Sequence, residues 1–474
     1  MVPLYDQTVA DQQSEVGAAA TPAVLWLACA AQFMVVLDVS VVNVALPAIQ
    51  AGLGFDAAGL PWVVGGYALA FAGFLLLGGR LADLYGQRRI LVLGLALFSL
   101  TSLGGGLATS PGALIAMRVL QGLGGALLAP ATLTVLTTAF PEGPRRVRAL
   151  AVWTAVSSAG GAAGNLIGGV LTDGLSWRWI LLINVPVGVV ALAVAPRLLP
   201  VDRPRAASAR LDVPGAVLAT AGVGALGYGI SQAERHGWGG SSTLAWLVAG
   251  VVALTAFAVV EARSPAPLIP PRLVRLRPVW AGNAVMLLAG CCFVPMWYFL
   301  SLYMQHELGY DALATGVGFL PHTLVGIAGA RLAPAVMRWT GARVLIVLSA
   351  LVAAAGFLWQ SRLDAAGGYL DGLLGPAIVM SAGMGLLITP ITTTVTSGVD
   401  ARDAGAASGL MNTTRQLGGA LGLAALTAIA AHASAPVDAY RHVFTASAAA
   451  CVAVATLAGA LPGPRQDAQR PGSS

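Results

Sequence analysis

The 474-residue chain is 57% hydrophobic and only 10% charged, with a mean hydropathy of +0.79. So little charge cannot cover the surfaces of soluble domains, which excludes the roughly two or three such domains that length alone would allow. The formal charge of +6 rests on arginine, because the chain has no lysine, and the placement of the arginines points to membrane topology rather than to nucleic acid.

Residues 1–23 are polar and acidic, with Asp6, Asp11 and Glu15 and no basic start. They lack the pattern of a signal peptide and are expected to form a cytoplasmic tail. Apolar windows long enough to cross about 30 Å of hydrocarbon then follow. Their limits are 24–48, 62–80, 90–108, 113–136, 149–171, 179–197, 212–231, 243–261, 280–303, 312–330, 343–360, 370–391, 405–430 and 443–461. The expected fold is an all-α polytopic membrane protein with 14 transmembrane helices.

Span 1 carries the run Leu37-Asp38-Val39-Ser40-Val41-Val42-Asn43-Val44-Ala45-Leu46-Pro47. Between spans 2 and 3 lies Gly79-Arg80-Leu81-Ala82-Asp83-Leu84-Tyr85-Gly86-Gln87-Arg88-Arg89. There the glycines allow a tight reversal, and Asp83 at a helix end can pair with arginine or meet a helix N-terminus. Span 4 contains Arg118-Val119-Leu120-Gln121-Gly122, and span 5 contains Gly160, Gly164, Gly168 and Gly169. The inner segments 198–211 and 262–278 are rich in proline and arginine and bracket spans 7 and 8. Trp62, Trp177, Trp179 and Trp238 fall near predicted outer ends, as interfacial anchors do. Span 10 holds His322. Span 13 holds Gly405-Ala406-Ala407-Ser408-Gly409-Leu410-Met411-Asn412-Thr413-Thr414-Arg415-Gln416-Leu417-Gly418-Gly419.

An even number of spans puts both termini on one side. With that side cytoplasmic, twenty arginines lie at the inner surface, four outside (Arg178, Arg235, Arg362 and Arg441) and two, Arg118 and Arg415, within spans. This is the asymmetry of the positive-inside rule. The chain divides into a tail (1–23), a six-helix bundle (24–200), a linker with two inserted helices (201–278), a second six-helix bundle (279–461) and a tail (462–474). Two equivalent halves of this kind suit an alternating-access carrier.

The loop between spans 2 and 3 resembles the signature cytoplasmic loop of the major facilitator superfamily. The span 1 and span 13 runs resemble motifs of its fourteen-span drug:proton antiporter family. Arg118 to Gly122 resembles the superfamily's buried-arginine motif, and the span 5 glycines resemble the motif of antiporters and exporters. The resemblance covers roughly residues 24 to 461 and implies the major facilitator fold. Asn165 departs from it, standing where the exporter motif has proline, so the glycine spacing is kept while the bend supplied by proline is not implied.

The residues proposed for proton coupling or a substrate cavity are Asp38, Asn43, Arg118, Gln121, Asn412, Arg415 and His322. Asp38 lies about 21 Å from the inner end of its span and Arg118 about 9 Å below an outer end, which allows similar depth. Both are costly in lipid unless partnered. The alternative is a purely structural polar contact. Arg415, with Asn412 and Gln416 beside it, either lines the cavity or stabilises packing. His322 either exchanges protons or is a hydrogen-bonded packing residue. Gly79, Arg80, Asp83, Gly86, Arg88 and Arg89 form the expected gating loop, and Gly160, Gly164, Asn165, Gly168 and Gly169 the exporter-like motif.

No GxxxxGK[ST] loop, metal-ligand spacing or catalytic triad occurs, and Cys29, Cys291, Cys292 and Cys451 all fall in apolar runs. The expectation is a non-enzymatic antiporter in the cytoplasmic membrane, working as a monomer without cofactor or nucleic acid. Driven by a proton gradient, it would export small organic compounds such as drugs or antibiotics. A metabolite uniporter or symporter, or a non-transporting receptor or scaffold, is the alternative.

Overall fold

Apolar runs of about twenty residues satisfy their backbone groups in lipid only by coiling into helices. The computed structural model describes residues 4–140, 143–200, 212–264, 267–269, 271–363, 368–397, 399, 404–433 and 435–459, and its regular structure is entirely helical. The first six long helices are α1 (Leu4–Leu53), α2 (Pro61–Tyr85), α3 (Gln87–Gly106), α4 (Pro111–Ala139), α5 (Pro144–Gly174) and α6 (Trp179–Leu198). Next come α7 (Val213–His236) and α8 (Ser241–Arg263). The last six are α9 (Arg277–His306), α10 (Ala312–Thr340), α11 (Ala342–Gln360), α12 (Gly375–Thr396), α13 (Ala404–Ala430) and α14 (Pro436–Gly459).

Among the described residues, 13 helices carry a stretch long and apolar enough to cross a membrane. The remaining long helix is α13, whose 27 residues suffice in length but whose polar run from Asn412 to Gln416 dilutes its hydropathy. Each predicted span therefore meets a helix. α1 departs from expectation in starting at Leu4, well before its apolar stretch Pro22–Leu53. α6 and α10 are each interrupted for one residue, at Ile183 and Phe319, where the torsions remain helical. A π-helical turn, Tyr369–Leu374, leads into α12. Gly86 is the single residue between α2 and α3, and its φ of +102° is one that a side chain would strain.

Three clusters form most of the apolar core. One draws on α1–α4 and α6, from Val24 to Leu199. A second draws on α9 and α11–α14, from Val279 to Ala458. The largest unites both sets of helices, joining Leu37–Ile49 of α1 to Cys292–Met304 of α9, Phe357 of α11 and Phe444 of α14. The two sets are thus fused at the end where α1 finishes and have separate cores at the other. α7 and α8 pack on each other, and α7 also leans on α2 and α13. Only 11% of the most apolar stretch of α8 is buried, which is how a lipid-facing helix presents itself. Trp177 differs from the other predicted anchors in being buried, against Gly52.

Small residues let these helices approach closely. Along α5, Gly160 lies over the Phe33 carbonyl, Gly164 over Ser40 and the Leu37 carbonyl, and Gly168 over the Val41 backbone. A Cβ at Gly164 would stand 2.5 Å from that of Ser40, whereas one at Gly161 would meet only Val36 at 3.8 Å and Ser40 Oγ at 4.0 Å. Gly164→Leu should therefore cost about 1–3 kcal/mol by overpacking, while Gly161→Ala should be near neutral. Thermal unfolding of the purified variants in detergent checks the pair, and equal midpoints for both would contradict the close α1–α5 contact.

Candidate functional site

A carboxylate within a membrane helix is tolerable only when donors surround it. Asp38 of α1 is fully buried, and its three donors come from two other helices. Oδ2 accepts from Arg118 Nη1 of α4 at 2.5 Å. Oδ1 accepts from Gln121 Nε2 of α4 at 2.7 Å and from Asn184 Nδ2 of α6 at 2.9 Å. Both amides also donate to Ser102 Oγ of α3, Gln121 at 2.7 Å and Asn184 at 3.4 Å.

Arg118 is only 2% exposed and donates through Nε and Nη1 within the protein. Nε donates to the Val63 carbonyl of α2 at 3.0 Å, and Nη1 also donates to Gln121 Oε1 at 2.7 Å. The guanidinium carbon stands 4.5 Å from the centre of the Tyr67 ring, a cation–π contact. The i, i+3 spacing of Arg118 and Gln121 puts both on one face of α4. Five helices therefore converge on one neutralised ion pair.

The remaining predicted residues lie elsewhere. Asn43 does not reach Asp38: its Nδ2 donates to the Val39 carbonyl at 3.3 Å, and its own carbonyl accepts from Ser301 Oγ of α9 at 2.6 Å. Gln305 of α9 donates to the next carbonyl, Val44, at 2.7 Å. His322 of α10 is buried, with Nδ1 3.2 Å from Ser381 Oγ and its ring about 6.0 Å from those of Trp297 and Phe319. Arg415 Nη2 donates to Asn412 Oδ1 at 2.8 Å on the half-buried polar face of α13.

Asn165 is buried in an unbroken α5, and its carbonyl lies against Gly316 of α10. Gly169 lies against the backbone of Ala312 and Leu313 of the same helix. Asp173, one turn further, accepts from the backbone N–H of Leu313 at 2.7 Å and of Ala312 at 3.3 Å. In the loop between α2 and α3, Gly79 rests over Pro130, Gln87 donates to Thr138 Oγ1 at 3.0 Å, and Arg80 and Arg89 are exposed, with Arg88 half-buried. The side chains of Asp83 and of Asp371, an acid near the predicted outer mouth of span 12, lie outside the described residues, and so does the pairing expected for Asp83. No group of three potential metal ligands occurs among the described residues.

Sequence reasoning missed Tyr67, Ser102 and Asn184. Asn184 had a signal, because an amide inside an apolar span needs a partner. Ser102 and Tyr67 had none, since a hydroxyl in a membrane helix can bond its own backbone or be tolerated at a helix contact.

A many-helix bundle with its ion pair sealed in one set of helices is the build of a membrane carrier. The chain matches the profile of the Major Facilitator Superfamily over residues 28–423 and belongs to that family. It is a multi-pass membrane transporter and not an enzyme. It is 55% identical to the cephamycin export protein CmcT of Amycolatopsis lactamdurans, covering 92% of each chain. It is 41% identical to the puromycin resistance protein pur8 of Streptomyces alboniger, over 91% of this chain and 88% of that one. The tetracenomycin C resistance and export protein of Streptomyces glaucescens is 36% identical over 83% of this chain and 73% of that one. Among solved structures, the fold is similar to the POT family transporter PepTSo, with a TM-score of 0.69 and 13% identity over 93% of this chain and 97% of that one.

Removing one member of a buried ion pair strands the other charge and costs about 3–5 kcal/mol. Arg118→Ala should therefore destabilise the fold strongly, and adding Asp38→Asn should recover part of the loss. A double-mutant cycle of thermal unfolding in detergent checks this coupling, and strict additivity would contradict it.

Proposed function

We propose that this chain exports small antibiotic-like organic compounds across the cytoplasmic membrane in exchange for protons. The observation that carries the reading is the position of Asp38. Its carboxylate is bonded to α4 and α6 and, through their amides, linked to α3, while the flanking turns of α1 pack through the glycine stripe on α5. Five residues further along, α1 is bonded to α9. A proton on Asp38 would turn an acceptor of Arg118 into a donor and weaken the pair, freeing α1 to shift against α4. That shift would be felt where α1 and α5 meet α9 and α10.

On the arginine asymmetry, the helices are arranged six plus two plus six with both termini cytoplasmic, so the fused end of the core faces outside. The outer end is then closed by Ser301 and Gln305 on α1 and by Asp173 on the N-terminus of α10. The donors around Asp38 suit its carboxylate form, the state ready to take substrate from inside and later to meet a proton from outside. No cofactor enters this cycle, and one chain contains all of its parts. The substrate class follows from likeness to proteins described as exporting or resisting cephamycin, puromycin and tetracenomycin C.

Reconstituted into proteoliposomes, the wild type should drive uphill movement of such compounds under an imposed pH gradient. Asp38→Asn, which keeps an acceptor for Arg118 but not its counter-charge, should lose at least about tenfold of that flux per folded molecule, in keeping with the loss of a proton-transfer group, with the folded fraction read by size-exclusion chromatography. Gradient-driven flux at the wild-type rate in Asp38→Asn would overturn the coupling role. Asp173→Ala should separately weaken the outer closure, read as faster labelling of a cysteine placed at Ser301; unchanged labelling would sink that assignment.

A further inference from the structure

Among the described residues two arginines, Arg118 and Arg415, lie deep within long helices and at least partly buried, and they are treated differently. Arg118 is cancelled by Asp38 and bonded on both edges of its fork. Arg415 has no carboxylate among the described residues, and its side chain meets only the neutral Asn412 Oδ1, at 2.8 Å. It sits about 17 Å along α13, where a cation needs a counter-charge or water. Arginine keeps its charge throughout the physiological range, so it cannot escape that cost by losing a proton.

The surroundings of α13 fix the direction in which this cation is presented. One row, Gly418 and Gly422 with the Arg415 backbone, packs on α9, where Gly290 is pressed against the Arg415 carbonyl. Another row faces α2, with Gly409 against Leu76. At 100° per residue, Asn412, Arg415 and Gln416 fall between these two rows, while Leu410, Leu417 and Leu421 fall on the opposite side. The leucine side suits lipid. The polar side therefore turns toward the seam between α9 and α2, where Gly419 packs on Val294 of α9, and all three of its residues are half-buried rather than sealed. Asn412 spends its oxygen on Arg415 and makes no hydrogen bond through Nδ2 among the described residues. A guanidinium edge and an amide NH2 are then left side by side as donors, a set that matches the two oxygens of a carboxylate.

We infer that Arg415, with Asn412, is the recognition site for an acidic group on the exported compound, so that the preferred substrates are organic monoanions bearing a carboxylate. This rests on the export reading above. The acid supplies the counter-charge that the protein withholds from Arg415, and it leaves the Asp38 pair free for the proton.

The test uses the full-length protein in proteoliposomes and matched probes, a set of β-lactam and aromatic carboxylic acids together with their methyl esters. In the wild type, each exported acid should move about tenfold or more faster than its ester, the scale of a charge-assisted hydrogen bond. In Arg415→Gln that ratio should fall to near one, and in Arg415→Lys it should remain above one. A variant that merely folds poorly would lower acid and ester fluxes together and leave the ratio unchanged. Such an unchanged ratio in Arg415→Gln, or a wild type that prefers esters or cations, overturns the assignment while export stands. A wild type that moves no probe in either form under a pH gradient overturns the export reading, and this inference falls with it.

Discussion

The Asp38 carboxylate is the constraint around which the N-terminal helices are arranged. In a medium of low dielectric, neither it nor Arg118 can be left without partners, and the partners come from as many helices as can reach. Val63 and Tyr67 bring α2, Ser102 brings α3, Gln121 brings α4, and Asn184 brings α6. Apolar packing between helices in lipid has little hydrophobic drive of its own, because lipid tails are as apolar as leucine. A directional polar cluster therefore does more to specify how these helices sit than it would in water. It is also the kind of contact that a single proton can undo.

The glycine stripe of α5 gives that cluster mechanical reach. Because Gly164 and Gly168 bring the backbone of α5 against the turns on either side of Asp38, α1 cannot move without α5 responding. The far face of α5 then meets α10 through Asn165, Gly169 and Asp173. Proline at position 165 would remove one backbone N–H from α5; asparagine keeps the helix continuous and places its carbonyl against Gly316. The exporter-like packing thus depends on small residues at the glycine positions and is maintained here without the proline.

Much of this was legible in the sequence. Span positions followed from apolar length, and every predicted span meets a helix, because in lipid the backbone has no other way to close its hydrogen bonds. Asp38, Arg118 and Gln121 stood out as polar groups at compatible depths, and the structure joins them. Asn43 does not join the Asp38 cluster, because depth alone does not give rotation about the helix axis. Five residues beyond Asp38 is 500° around the helix, which points the side chain about 140° away. Ser102 was illegible for the same reason, and Asn184, though marked as an amide in need of a partner, could not be assigned one, since both roles depend on which face of α3 and α6 meets α1. The contact of Asp173 with the start of α10 pairs residues 140 apart in sequence, and no local pattern announces it.

The two sets of helices solve the problem of intramembrane charge in opposite ways, and the difference divides their labour. The N-terminal set holds an acid and a base that cancel, in a site with almost no exposure, and in the proposed cycle a proton is the only ligand it would have to admit. The C-terminal set holds a single arginine on a half-open polar face, whose charge cannot be discharged by proton loss and whose neighbour is neutral. A sealed pair can act as a switch but makes a poor receptor; a half-buried, uncompensated cation suits the receptor role proposed for it but cannot switch. If one site had to do both, the substrate's charge and the proton would compete for the same partner, and the pair would be screened by whatever occupied the cavity. Separating them across the interface lets each side change the equilibrium between conformers through its own contacts, which is what coupling two ligands through one structural transition requires.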